Sequence, residues 1–100
     1  MFQFELQYSF KVETFDGFCL DEKGNDVNMV NNIPGSFTEE ECLEECKNKR
    51  NEFGVKVKAC EWKGNKECIY HTRPVKYGNG DSNYRCSIFN GGKISFAWKV

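Results

Sequence analysis

Both ends of the chain alternate between large apolar residues and polar or small ones. Phe2–Val12 has an apolar side chain at every even position and a polar one at every odd position, and Ile94–Val100 repeats the alternation. A period of two is typical of a β-strand that buries one face. Each strand alone would expose that apolar face and an unpaired edge to water. We therefore predict that the two strands pair antiparallel with their apolar faces aligned.

One stretch, Ser36–Cys46, has the pattern of a helix. Thr38 followed three residues later by Glu41 is a capping box, in which each side chain bonds a backbone N–H of the first turn. Acidic residues fill that turn and basic residues follow Cys46, as the helix dipole favours. Cys42 and Cys46 are four apart and therefore share one helix face.

The remaining apolar segments predict two hairpins. Phe53–Trp62 and Glu67–Thr72 flank a turn at Gly64-Asn65, and Tyr84–Phe89 and Lys93–Val100 flank Asn90-Gly91-Gly92. Strands lie before and after the helix. The predicted fold class is α+β, a mainly antiparallel sheet with one helix packed on it and extended by terminal strands.

Length and cysteine content narrow the class of protein. One hundred residues predict a single domain, with a core over about residues 17–89 and flanking strands at 2–12 and 93–100. Six cysteines without a CxxC pair, beside the single histidine His71, favour three disulfides over a zinc site. We expect no metal or other cofactor, and an oxidising, secreted or extracellular location. The first residues lack the continuous apolar core of a signal peptide, and no stretch is long enough to span a membrane.

The order of the cysteines resembles that of the apple or PAN-type domain, the plasminogen–apple–nematode module. The resemblance runs from Cys19 to Cys86 and includes EECLEEC in the helix, ACEWKGNKECIYH in the central hairpin and SNYRC in the closing strand. Spacing alone allows fifteen connectivities. The resemblance implies one of them: Cys19–Cys86, Cys42–Cys68 and Cys46–Cys60.

The sequence does not predict a catalytic site. A triad would have to use His71, which we expect to lie partly exposed on the central hairpin, and the cysteines are assigned to disulfides. The loop at residues 78–83 could bind an ion through its backbone and Asp81, or serve as a plain flexible connection. Neither this loop nor the acidic segment 21–26 has the spacing of a calcium loop. We expect the protein not to be an enzyme.

Charge divides unevenly along the chain. Residues 1–46 have a net charge of −9 and residues 47–100 a net charge of +8. These charges either neutralise each other in the fold or form a basic face that attracts an acidic partner. The basic, aromatic and acidic residues of the second half that we take as candidate ligand-binding residues are Lys56, Lys58, Trp62, Lys63, Tyr70, Arg73, Lys76, Tyr77 and Asp81. The alternative is a solvated strand face whose aromatic residues pack against the helix.

Function is predicted chiefly from the resemblance. It implies an extracellular, non-enzymatic recognition or adhesion module that binds a protein or a carbohydrate, including a sulfated glycan. A structural, self-assembling secreted protein that uses its flanking strands is one alternative, and a small secreted effector or toxin is another. We expect no nucleic-acid partner and no membrane insertion. The flanking strands also offer a surface through which two copies could form a homodimer.

Overall fold

The computed structural model describes residues 3–27 and 31–99, and for residues 3–10, 55 and 92–99 it describes the backbone alone. Phe2 and Val100, the outer ends of the predicted terminal strands, lie outside the described residues. The elements in chain order are β1 (Gln3–Asp16), β2 (Cys19–Leu20), β3 (Asn32–Ile33), α1 (Glu39–Phe53), a 3-10 turn (Gly54–Lys56), β4 (Ala59–Lys63), β5 (Cys68–His71), β6 (Tyr77–Gly78) and β7 (Tyr84–Lys99).

The helix α1 begins where the capping box predicts. The Thr38 hydroxyl accepts the Glu41 N–H at 3.2 Å, and the Glu41 carboxylate accepts the Thr38 N–H at 2.9 Å. The helix continues to Phe53, about two turns beyond Cys46, where the predicted helical stretch ends. Its buried residues are Cys42, Cys46 and Arg50, which follow each other at four-residue spacing and form the face that packs on the sheet.

Five strands form one antiparallel sheet in the order β1-β7-β4-β5-β3, and β2 pairs with β6 in a second, two-stranded sheet. The helix packs on β4 and β5. This architecture confirms the α+β class with a mainly antiparallel sheet.

The terminal strands pair as predicted over the described residues. Leu6 lies opposite Phe96 in an antiparallel register that runs along the whole of β1. The predicted second hairpin is wrong, because β7 stays paired with β1 on both sides of the glycines. Phe10 lies between two paired residues and opposes both Gly91 and Gly92, so the two glycines form a β-bulge. Gly91 has a φ of +76°, a conformation that glycine adopts without steric strain.

The central hairpin is shorter than its sequence pattern predicts. Its strands are β4 and β5, with Cys60 opposite Tyr70. The prediction that the first strand begins at Phe53 is wrong, because Phe53 ends α1 and a 3-10 turn follows it. The alternating apolar residues that begin at Phe53 therefore belong to the end of the helix and the 3-10 turn, and not to a strand.

Disulfides connect both sheet faces to the layers that cover them. The bonds are Cys19–Cys86, Cys42–Cys68 and Cys46–Cys60, which is the pairing that the resemblance implies. Two of them join α1 to the central hairpin, and the third joins β2 to β7. On the helix side, the core cluster includes Val57, Phe89 and partly buried Trp62. On the opposite side, Ala59 and Ile88 form a second cluster with the Cys19–Cys86 bond.

The sheet extends beyond the body of the domain at one end. Within the described residues, β4 pairs with β7 only as far as Ile88, whereas β1 accompanies β7 to Lys99. We call the paired segments 3–9 and 93–99 the ribbon. The long dimension is 50 Å against 29 and 20 Å for the others, and the radius of gyration is 14.6 Å, compared with about 13 Å for a compact chain of this length. In the part of the chain that the structure describes, no helix has the length and apolar character needed to span a membrane.

Candidate functional site

A cleft of about 320 Å³ lies where the domain body meets the ribbon. Its lining comes from four segments: Arg50 of α1, Lys58 ahead of β4, Pro74 and Val75 after β5, and residues 88–91 of β7. The cleft forms because β4 begins level with position 88 while β7 continues past it. We call it the junction cleft. Its lining is a mixture of polar and apolar groups and includes two positively charged side chains.

Arg50 is held rigidly at this cleft and is only 1% exposed. Its Nη1 donates to the Val57 carbonyl and its Nη2 donates to the Gly91 carbonyl in the bulge. The guanidinium carbon lies 5.6 Å from the centre of the Phe89 ring, within the range of a cation–π contact. These contacts tie α1 to β7. They also fix a permanent positive charge beside the cleft, because arginine stays protonated in proteins.

Lys58 supplies the second positive charge of the junction cleft. Its backbone N–H donates to the His71 carbonyl at 2.7 Å, and its carbonyl accepts the Phe89 N–H at 2.9 Å. The backbone at this position is thus fixed between β5 and β7, while the side chain is half-buried among the cleft residues. A lysine with a fixed base and a flexible ammonium group is suited to contact an anion that enters the cleft.

Further charged residues of both signs lie around the junction cleft. Lys56 and Arg73 are exposed, one on the 3-10 turn and one beside Pro74. Lys11 lies opposite Asn90 in the β1–β7 register and is also exposed, while the acidic residue Glu13 lies opposite position 88. Arg73 and Pro74 also line a neighbouring cleft with Asp21, Glu22 and Asp26. The positive charge that favours an anion in the junction cleft is therefore chiefly that of Arg50 and Lys58 in its lining.

The structure brings three of the predicted ligand-binding residues to the same end of the central hairpin. Lys56 and Lys58 precede β4, and Arg73 follows β5. Tyr70 lies nearby but on the helix side, where its half-buried ring stacks on Phe53 with a centroid separation of 6.2 Å.

Trp62 and Lys63 lie at the other end of β4. Trp62 is four residues from Lys58, which is about 13 Å along the strand at a rise of about 3.3 Å per residue. The Trp62 indole N–H donates to the Phe37 carbonyl at 2.9 Å, and its ring packs on the helix-side core. Lys63 forms an ion pair with Glu67 at 3.4 Å. Both side chains therefore have structural partners, and the packing of Trp62 is that of the alternative, a solvated strand face whose aromatic residues pack against the helix.

Lys76, Tyr77 and Asp81 belong to the segment between β5 and β7 that covers the sheet face opposite α1. The Lys76 N–H donates to the Leu20 carbonyl at 2.8 Å, and Tyr77 pairs with the same residue in the β2–β6 sheet. The Asp81 carboxylate accepts the Asn83 N–H at 2.9 Å, which orders the turn before β7. The predicted set is therefore divided among three separate surfaces.

A buried polar pair on that covered face is absent from the sequence prediction. His71 is 2% exposed and Glu61 is 0% exposed, so the prediction of a partly exposed histidine is wrong. Glu61 Oε1 accepts the Cys19 N–H at 2.8 Å and lies 3.2 Å from His71 Nε2. The nearby residue Asp26 has a raised pKa, chiefly because its carboxyl is partly buried and secondly because it lies near the negative charge of Glu61. His71 and Glu61 are buried because the β2–β6 layer covers this face of the sheet.

Two clusters among the described residues have the proximity of metal ligands. The sulfurs of Cys42, Cys46, Cys60 and Cys68 lie within 4.8 Å of one another, and Cys19 lies in a similar group with Glu61 and His71. All these sulfurs are in disulfides, so none is a thiolate that could bind a metal.

Of the residues that line the junction cleft, only Lys58 was among the predicted ligand-binding residues. Arg50, and Glu61 on the covered face, gave no signal in the sequence, since a charged residue in a helix or strand is ordinarily solvated. Comparison of the chain with protein-family models, with curated proteins and with solved structures finds no match.

Proposed function

We propose that this chain is an extracellular, non-enzymatic recognition domain, and that an anionic group of a protein or glycan ligand binds in the junction cleft. The observation that carries the proposal is a concave cleft with a mixed polar and apolar lining, in which the half-buried side chain of Lys58 lies beside the buried charge of Arg50. Ligand sites in proteins are typically concave and largely apolar, with a few fixed polar groups that determine orientation.

The disulfides support the extracellular part of this proposal. Three disulfides in a chain of 100 residues are typical of extracellular proteins, whose environment is oxidising. They also fix the helix and the loop layer to the two sheet faces. A ligand that binds the junction cleft would therefore meet a surface that needs little reordering, which lowers the entropic cost of binding.

Membership of the apple/PAN family is part of the proposal, and it rests on the cysteine order and on the three disulfides that the family pattern implies. The non-enzymatic assignment is supported by the placement of His71, the single histidine of the sequence. Its burial against Glu61 beneath the β2–β6 layer favours a structural role.

Titration calorimetry tests the proposal with two probes, a heparin oligosaccharide and a polyglutamate peptide. The variant is Lys58→Gln and the matched control is Lys63→Gln, because both lysines are half-buried and lie at opposite ends of β4. Loss of a hydrogen bond to a charged group is worth about 1.5 kcal/mol, or about tenfold in affinity. We expect about that loss for Lys58→Gln with the probe that binds, together with a weaker salt dependence, and less than about a twofold change for Lys63→Gln.

Two results would contradict the proposal. Binding that Lys63→Gln weakens more than Lys58→Gln would place the ligand at the turn of the hairpin. The absence of binding to either probe at low salt would remove anion recognition altogether.

A further inference from the structure

The ribbon has one apolar face and one polar face. Its register places apolar residues opposite apolar residues in the three pairs Phe4–Trp98, Leu6–Phe96 and Tyr8–Ile94. The intervening pairs combine polar, charged or small residues: Gln3–Lys99, Glu5–Ala97, Gln7–Ser95 and Ser9–Lys93. Because opposite residues in an antiparallel pair share a face, the six apolar positions lie together on one side of the ribbon.

Two strands are too few to bury such a face. Over the described residues, β4 stops pairing with β7 at Ile88, so the ribbon continues as a pair beyond the five-stranded sheet. An isolated two-stranded antiparallel pair is at best marginally stable in water, and stability requires further strands or a layer on the apolar face. We therefore expect another layer to cover the face of the ribbon that carries the six apolar positions.

We propose that the apolar face of the ribbon is the interface of a twofold dimer, in which the ribbons of two copies of this chain stack face to face. An aromatic residue buries about 150–250 Å² when fully enclosed. With about half of that area covered, four aromatic and two aliphatic positions bury about 500 Å² per copy. Two copies bury about 1,000 Å², which is the size at which specific interfaces begin.

Charge favours a second copy over a lipid surface as the occupant. The ribbon carries Glu5, Lys93 and Lys99, a net charge of +1. Recognition of anionic membranes by peripheral segments typically uses clusters of about 4–8 basic residues. A second copy needs no such attraction, because a twofold interface brings the same apolar surface from both chains. Since β1 and β7 of one chain already pair with each other, this dimer involves no exchange of strands.

Sedimentation velocity over micromolar concentrations tests the dimer. The wild-type chain should shift from 11.6 kDa to twice that mass with increasing concentration. Leu6→Lys introduces a charge on the apolar face, and Gln7→Lys introduces the same charge one position away on the polar face. We expect Leu6→Lys to weaken the dimer at least tenfold and Gln7→Lys to change it less than about threefold. Phe96→Lys, on the partner strand of the ribbon, should repeat the effect of Leu6→Lys.

Each alternative result overturns the proposal. A dimer that survives in Leu6→Lys and Phe96→Lys does not use this face, and a dimer that Gln7→Lys weakens equally depends on the edge or the charge of the ribbon. A wild-type chain that stays monomeric, but sediments with vesicles of phosphatidylcholine and phosphatidylserine, uses the face for lipid. A wild-type chain that stays monomeric and does not sediment with these vesicles also refutes the dimer.

Discussion

Glu61 should contribute more to stability than any sequence pattern indicates. We predict that Glu61→Met, which keeps a side chain of similar size, destabilises the domain strongly. The change removes the acceptor of the Cys19 N–H, 2.8 Å away, and the partner of His71 Nε2, 3.2 Å away. Both groups belong to buried residues.

The magnitude follows from these two lost partners. A buried donor left without an acceptor costs about 1–3 kcal/mol, so the two together cost about 2–6 kcal/mol. Removing a desolvated carboxylate offsets part of that cost. We therefore expect the free energy of unfolding to fall by about 2–4 kcal/mol, a large share of the about 5–15 kcal/mol that stabilises a typical domain.

Guanidinium unfolding with the disulfides intact measures the change. Glu67→Met is the matched control, because Glu67 is also paired with a basic side chain of the central hairpin but is exposed. An exposed ion pair contributes about 0–1 kcal/mol. A loss below about 1 kcal/mol for Glu61→Met, or losses that are equal in the two variants, would refute the role of the buried pair.

Two further predictions concern the helix start and the pH dependence of stability. Thr38→Ala removes the acceptor of the Glu41 N–H and should cost about 1 kcal/mol in thermal unfolding at pH 7; a similar loss in the exposed control Ser36→Ala would contradict the capping box. Burial and Glu61 raise the pKa of Asp26, so the folded state binds this proton more tightly and the carboxyl lowers stability as pH rises above about 4. Relative to wild type, Asp26→Asn should therefore be more stable at pH 6 than at pH 3, and a melting-temperature difference that moves the opposite way with pH would contradict this.

The elements that could be predicted from the sequence are those whose signal lies in neighbouring residues and whose burial follows the same pattern. The capping box at Thr38 fixes the beginning of α1, and the alternation of Phe2–Val12 is that of a strand with one buried face. Both signals depend on neighbours within a few residues along the chain. The paired terminal strands follow from them, because aligned apolar faces and satisfied backbone edges favour the same register.

Other features depend on residues that are distant in sequence. Gly91 and Gly92 have the composition of a turn, but they form a bulge because β1 continues beside them and pairs with β7 on both sides. The burial of His71 depends on the β2–β6 layer, which the sequence pattern around the histidine does not specify. Arg50 is one of the basic residues that follow Cys46, and nothing local in the sequence marks it, since its acceptors at Val57 and Gly91 meet it only in the folded chain.

The proposed function depends on the junction cleft, so the decisive measurement is where an anion binds on the domain. Amide chemical shifts of the labelled protein, titrated with the heparin oligosaccharide, report that location residue by residue. We expect the largest shifts at Lys58 and at the bulge residue Gly91. Shifts concentrated instead at Gly64 and its neighbours in the hairpin turn, with Lys58 and Gly91 unchanged at saturation, would contradict the proposed function.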